Sequence, residues 1–255
     1  MKYKYTYKKF SSNSPLITFV HGAGCDYSFW ALLNRFFFFR GFSTLAISLP
    51  GHGDNFEKGL NSIDDMALYI SKIIKKYSSK KNILIGHSMG GLICISSIVN
   101  KLFDIHKVIL IGVSYPMKVS ESLITMSKRN KEEAIINMIN WSLPSETKLR
   151  GSQLIGFSLP NFVYTLMKKT SEDNLYRDLK ACNNYFISDN NINNFDTPCL
   201  IICGKKDIMT PIKGSSNLTK YFINSTFDII ENCGHFHVHE KSNEVRSLLK
   251  KYIET

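Results

Sequence analysis

"NILIGHSMGGLICI", residues 82–95, sets one serine among glycines at the seam of two hydrophobic runs. Residues 82–86 have the length and apolarity of a strand buried on both faces. From Met89 to Asn100 the run is long enough to continue as a helix. Ser88 therefore falls on a tight strand-to-helix turn, and "GHSMG" at 86–90 matches G-x-S-x-G, the nucleophile elbow. The glycines are expected where strand and helix approach too closely for side chains. The turn pushes the serine hydroxyl into open space, and the helix aims its positive end at the same point. The Met89 amide is then placed to meet a developing oxyanion.

Working outward, similar apolar runs recur as "LITFV" 16–20, "TLAIS" 44–48, "KVILIG" 107–112, "CLIIC" 199–203 and "TFDII" 226–230. Their near-continuous apolarity predicts a parallel sheet. The Lys/Tyr alternation of "MKYKYTYKKF" predicts an edge strand. Between strands, Ile63, Met66, Ala67, Ile70, Ile73, Ile74 and Tyr77 follow a helical period, with Ser62 as N-cap. Val245, Leu248, Leu249, Tyr252 and Ile253 repeat that pattern near the end. The fold class is thus α/β: a mostly parallel central sheet flanked by helices. The alternation lapses between residues 117 and 196, where "SESLITMSKRN", "KEEAIINMINWS", "PNFVYTLMKKT" and "SEDNLYRDLKACNNYF" read as helices. Pro144, Pro160, Gly151 and Gly156 punctuate them. We expect a core of residues 1–116 and 197–255 carrying a helical cap over 117–196.

A serine hydroxyl needs a base to take its proton, and the base needs a carboxylate to hold it. The expected order is serine, acid, histidine. "CLIICGKKDIMTP" places Asp207 in the loop after a late strand, and "TFDIIENCGHFHVHE" places His235 after the last one. His237 is the rival base. Asp207 could instead cap a turn ahead of Pro211. Alternate histidines at 235, 237 and 239 would share a face of an extended segment and could suggest zinc. No further ligand cluster accompanies them, so no metal is expected. "ITFVHGAG" supplies the other half of an oxyanion site through the Ala23 amide, with the His21 side chain bonding the loop. His106 precedes a core strand and reads as a capping or packing residue.

Composition narrows the class further. The 255 residues suit one α/β domain with an insertion. Hydrophobic residues make up 44% and charged residues 21%, ordinary for a globular protein. No run reaches the roughly 18 apolar residues of a membrane span, and no signal-peptide core opens the chain, so a cytoplasmic protein is expected. The net charge of +11 comes mostly from scattered lysine pairs rather than an arginine stripe, which argues against a nucleic-acid partner. The six cysteines form no C-x-x-C pair and read as buried thiols.

Taken together, "FVHGAG" (19–24), "LPGHGDN" (49–55), "GHSMGG" (86–91), "GKKDIMTP" (204–211) and "CGHFHVHE" (233–240) resemble the α/β-hydrolase superfamily in order and spacing. The branch it most resembles comprises small bacterial carboxylesterases and haloperoxidase-like, thioesterase and C–C bond hydrolases. That resemblance implies a triad of Ser88, Asp207 and His235 and an oxyanion hole from the Ala23 and Met89 amides. It implies no cofactor, and a small-molecule acyl ester and water as partners of a monomer or homodimer. A serine at the elbow argues against haloalkane dehalogenases and epoxide hydrolases, which use aspartate there. "GHGDN" departs from relatives that carry serine near position 55, in a loop expected at the sheet edge. Glu240 matches a position that is usually structural. Thioester, lactone or C–C cleavage would use the same triad, and a receptor could keep the scaffold without catalysis.

Overall fold

A computed structural model describes residues 4–77, 79, 81–150, 156–187 and 195–254, the side chains of 149 and 150 excepted. Seven strands form one sheet: β1 (Tyr5–Lys8), β2 (Leu16–Val20), β3 (Ser43–Ile47), β4 (Asn82–His87), β5 (Lys107–Ile111), β6 (Cys199–Gly204) and β7 (Ser225–Ile230). Their spatial order is β1-β3-β2-β4-β5-β6-β7. Only β1, the expected edge strand, runs antiparallel. Residues β2 to β6 carry in their strands are almost all buried, which accounts for runs without polar alternation. β7 closes the far edge and is only partly covered.

Helices α1 (Ala31–Phe38), α2 (Ile63–Ile74) and α3 (Met89–Val99) follow β2, β3 and β4. The Ser62 side chain caps α2 by accepting the Asp65 N–H at 3.1 Å. α3 is buried from Met89 to Ser97, so its sequence is apolar on every side rather than striped. After β5 the chain leaves the sheet for a helical insert: α4 (Glu121–Arg129), α5 (Lys131–Ser142), α6 (Ser145–Arg150), α7 (Leu159–Lys168) and α8 (Asn174–Asn184). α4 packs on α5 and α8, α5 on α7, and α8 also reaches α3. The sequence reading missed α6, a short helix behind Pro144 with no stripe to announce it. Gly151 lies outside the described residues. Short α9 (Ile212–Ser216) and α10 (His237–Glu240) and the longer α11 (Ser242–Ile253) complete the chain.

The register of the parallel strands places their carboxyl ends together. Val20 pairs with Gly86, His87 with Ile111, and Gly204 with Ile230. The loops beginning at His21, Ser88, Lys205 and Glu231 therefore emerge on one edge of the sheet, where open α/β sheets hold ligands. No helix among the described residues is long and apolar enough to cross a membrane.

Candidate active site

Ser88 sits between β4 and α3 with φ 51° and ψ −120°, a backbone conformation that costs a non-glycine residue about 1–3 kcal/mol. Neighbouring contacts hold it there. The Ser88 N–H donates to the Ile111 carbonyl at 3.0 Å, and the Ser88 carbonyl accepts the Gly91 N–H at 2.8 Å. A Cβ on Gly86 would come within 2.4 Å of the Gly90 carbonyl oxygen, and one on Gly90 within 2.2 Å of the Val20 oxygen. The strand-to-helix approach thus forbids side chains at both glycines, as the sequence suggested.

Asp207 and His235 come from the loops after β6 and β7, and His235 Nδ1 lies 2.8 Å from Asp207 Oδ2. Asp207 Oδ1 accepts the Met209 and Thr210 N–H groups, each at 2.9 Å. The Thr210 hydroxyl donates to Oδ2 at 2.6 Å. Burial alone would raise the Asp207 carboxyl. The His235 imidazole, His237 and the Thr210 hydroxyl outweigh it and hold the group below the usual carboxylate range. Glu240 braces the histidine loop: its two oxygens accept the Gly234 and Phe236 N–H groups at 2.9 Å. That is a structural role, in line with the reading of position 240.

Ser88, His235, Thr210, Gly22 and Ala23 line one cavity of about 260 Å³. Met89 opens α3, and the first amides of a helix have no intrahelical acceptor. The insert roofs the cavity with Leu123, Met138, Trp141, Met167 and Leu179. Cys25 and Cys182 also line it, and burial pushes both thiols upward, away from the reactive thiolate.

The other histidines have different surroundings. His237 is fully buried; its Nδ1 lies 2.7 Å from the His235 carbonyl oxygen, and its Nε2 is 3.9 Å from Asp207 Oδ2. Burial lowers its pKa to about 4, so it is neutral near pH 7. His87 supports the same carbonyl through Nε2 at 2.8 Å, a contact the sequence did not announce. His237 and His239 belong to the helical turn α10, so the alternating face expected of an extended segment does not form. Among the described residues no three His, Cys, Asp or Glu side chains are arranged to hold a metal.

The "GHGDN" loop follows β3, which pairs with the edge strand β1. Asn55 is buried, with its Nδ2 donating to the Ser48 carbonyl at 3.0 Å and to the Tyr69 hydroxyl at 2.9 Å. Beside it, His52 bonds Asp178 of α8 at 2.7 Å, both side chains almost wholly buried. The loop beside the edge strand is therefore also covered by the insert.

Comparison with known proteins places this geometry in context. Residues 19–247 match the alpha/beta hydrolase family. A protein of Mycoplasma pneumoniae named "Putative esterase/lipase 2" is 28% identical, over 85% of this chain and 81% of its own. Among solved structures, an enol-lactonase from Burkholderia xenovorans superposes with a TM-score of 0.85 at 14% identity, covering 98% of this chain and 96% of that one. An esterase from Exiguobacterium antarcticum gives 0.84 at 17% identity, covering 98% and 96%.

Proposed function

Because the chain belongs to the alpha/beta hydrolase family, we propose that it is a serine hydrolase that cleaves a small or medium carboxylic ester through an acyl-enzyme. The observation that carries this reading is the meeting, on one cavity wall, of a strained Ser88 and an Asp207-bonded His235. The esterase and lipase names among its relatives support the same reaction class.

In the proposed mechanism His235 takes the Ser88 proton as the hydroxyl oxygen attacks the ester carbonyl. Asp207, kept ionised by its donors, fixes the imidazole tautomer and offsets the imidazolium that forms. The Ala23 and Met89 amides bind the tetrahedral oxyanion, where one lost donor costs on the order of a hundredfold or more in kcat. His235 then protonates the departing alcohol. Water enters, His235 removes its proton, and the acyl group leaves Ser88 as a carboxylate. The lining favours an apolar acyl chain, because the insert contributes mainly Met, Leu and Trp side chains.

A p-nitrophenyl ester series from acetate to decanoate tests the proposal. Turnover by the wild type that disappears in Ser88→Ala is the expected result, and the chain-length optimum sizes the pocket. A Ser88→Ala protein with undiminished turnover would overturn it. No turnover on any ester, together with no labelling of Ser88 by a fluorophosphonate, would favour a receptor on the same scaffold.

A further inference from the structure

Asp178 projects from α8 of the insert, and its side chain is wholly buried. One oxygen, Oδ2, accepts two hydrogen bonds: from the Gly24 N–H at 2.9 Å and from His52 Nε2 at 2.7 Å. The other, Oδ1, has no hydrogen-bond partner. His52 Nδ1 lies 3.0 Å from the Pro50 carbonyl oxygen. Both ring nitrogens thus face acceptors, and the Asn174 amide nitrogen lies 3.0 and 3.1 Å from them. Asp178 and Asn174, both from α8, thus bind His52 behind the loop at Ala23.

Gly24 matters because of what precedes it. A peptide group is planar, so fixing one of its atoms orients the others. The Gly22 carbonyl shares a plane with the Ala23 N–H, and His21 Nδ1 donates to that carbonyl at 2.8 Å. The Gly24 N–H belongs to the next plane, and Asp178 holds it. The first plane is held within the loop, by His21 and by the Cys25 N–H on the Gly22 carbonyl at 3.2 Å, while the second is held only from the insert, by Asp178, so without Asp178 the Ala23 Cα is restrained from one side alone. Gly24 itself has φ 70°, and a Cβ there would lie 3.1 Å from Met167 and 3.3 Å from Leu175, so the insert also shapes this bend.

We propose that Asp178 is a positioning residue for the oxyanion loop: seating α8 on the core holds the peptide plane that follows Ala23, which limits how far the loop and its Ala23 amide can shift, and His52 bonds the same carboxylate oxygen. The inference rests on the acyl-transfer reading above. Asp178 never touches the substrate; it acts through Gly24. A carboxylate that merely glued the insert to the core would matter for stability and substrate fit, not for stabilising the oxyanion.

The test compares Asp178→Leu, Asp178→Asn and the double variant Asp178→Leu/His52→Leu. Steady-state kinetics use the best p-nitrophenyl ester. Affinity is measured for a trifluoromethyl ketone, which forms an oxyanion with serine, and for the ether analogue, which does not. Misplacing a donor by about 1 Å can cost on the order of a hundredfold, so Asp178→Leu should lose about 10- to 100-fold in kcat. KM and ether affinity should change little, while trifluoromethyl ketone affinity falls in parallel with kcat. Asp178→Asn, which keeps an oxygen for Gly24, should recover most of the loss. Replacing both charges with apolar groups should restore folding stability. It should not restore kcat, because Gly24 still lacks its acceptor. A double variant that regains both overturns the proposal, as does a single variant whose kcat loss is matched by a loss of ether affinity. If Asp178→Leu does not fold, the double variant alone decides: wild-type kcat overturns the inference, and reduced kcat with intact ether affinity supports it. Failure of the wild type both to turn over esters and to label at Ser88 would instead sink the acyl-transfer reading, and this inference with it.

Discussion

Two buried carboxylate–imidazole pairs, Asp207 with His235 at 2.8 Å and Asp178 with His52 at 2.7 Å, use the same groups at nearly the same distance. What separates them is the second ring nitrogen. His52 Nδ1 lies 3.0 Å from both the Pro50 carbonyl and the Asn174 amide nitrogen, and the ring is sealed from solvent. His235 leaves Nε2 available on a ring that lines the cavity beside Ser88. On the proposed mechanism the first pair moves a proton, while the second holds its place. The carboxylates differ too. Asp207 receives four donors, while Asp178 receives two and leaves one oxygen unpartnered.

The sharpest way to break the comparison is to remove each charge without changing shape. Asp207→Asn should lower kcat by about 10⁴-fold, because the amide favours the wrong imidazole tautomer. His52→Gln should cost less than about a hundredfold, since it touches only the positioning of the loop. Equal losses in the two variants, read from kcat on the same ester, would end the distinction between a proton-moving and a fixed pair.

Stability should rank them in the opposite order. His52→Ala removes the ring partner of the buried Asp178 oxygen, and breaking a buried pair by removing one partner costs about 3–5 kcal/mol. His235→Ala leaves Asp207 with the Met209 and Thr210 donors and should cost less than about 2 kcal/mol. Urea denaturation of the two variants checks the ranking.

Titration sharpens the contrast further. Burial lowers His21, His237 and His239 to about 4, so the unfolded chain binds protons before the folded one does. Stability from these groups is present above their ordinary value near 6.5 and is lost as pH falls toward 4. His52 runs the other way. Burial would lower it, but Asp178 and the backbone carbonyl outweigh that and raise it. Its contribution is full below the unfolded pKa and is lost as pH rises through the folded one. Each group contributes a slope of about 1.4 kcal/mol per pH unit within its window. The Asp178→Leu/His52→Leu variant should therefore keep the acid-side loss and abolish the alkaline-side one in denaturation measured across pH.

The two pairs were also unequally legible in the sequence. Asp207 and His235 lie just beyond strands whose apolar runs mark their ends, and chain order names their roles. The elbow was legible because its glycines are forced by contacts with neighbours close in the sequence or in the adjacent strand. Asp178 and His52 are 126 residues apart, and nothing local joins them. Asp178 stands in "SEDNLYRDLKACNNYF", read as a helix with nothing to mark Asp178 as buried. The loop containing His52 reads as an edge because the sequence does not say which surface the insert covers. The same limit hid the burial of Asn55 and the contact of His87, while α6 was missed because its six residues carry no apolar stripe.

The smallest expected effect tests whether donor count or proton access distinguishes the pairs. Asp207 Oδ2 accepts both His235 Nδ1–H and the Thr210 hydroxyl, the latter at 2.6 Å. The Thr210 oxygen also lies 3.3 Å from His235 Nδ1, so it flanks the bond it supports. Thr210→Val keeps the shape and removes that donor. One hydrogen bond is worth about 1 kcal/mol net, so kcat should fall about fivefold. The remaining amide donors keep Asp207 ionised and in place, which is why the loss should stop there. A loss beyond about a hundredfold would mean that the shell of donors, rather than the free ring nitrogen, makes the Asp207–His235 pair competent. Supplying a donor to the unpartnered oxygen of Asp178 would then be the next change to make.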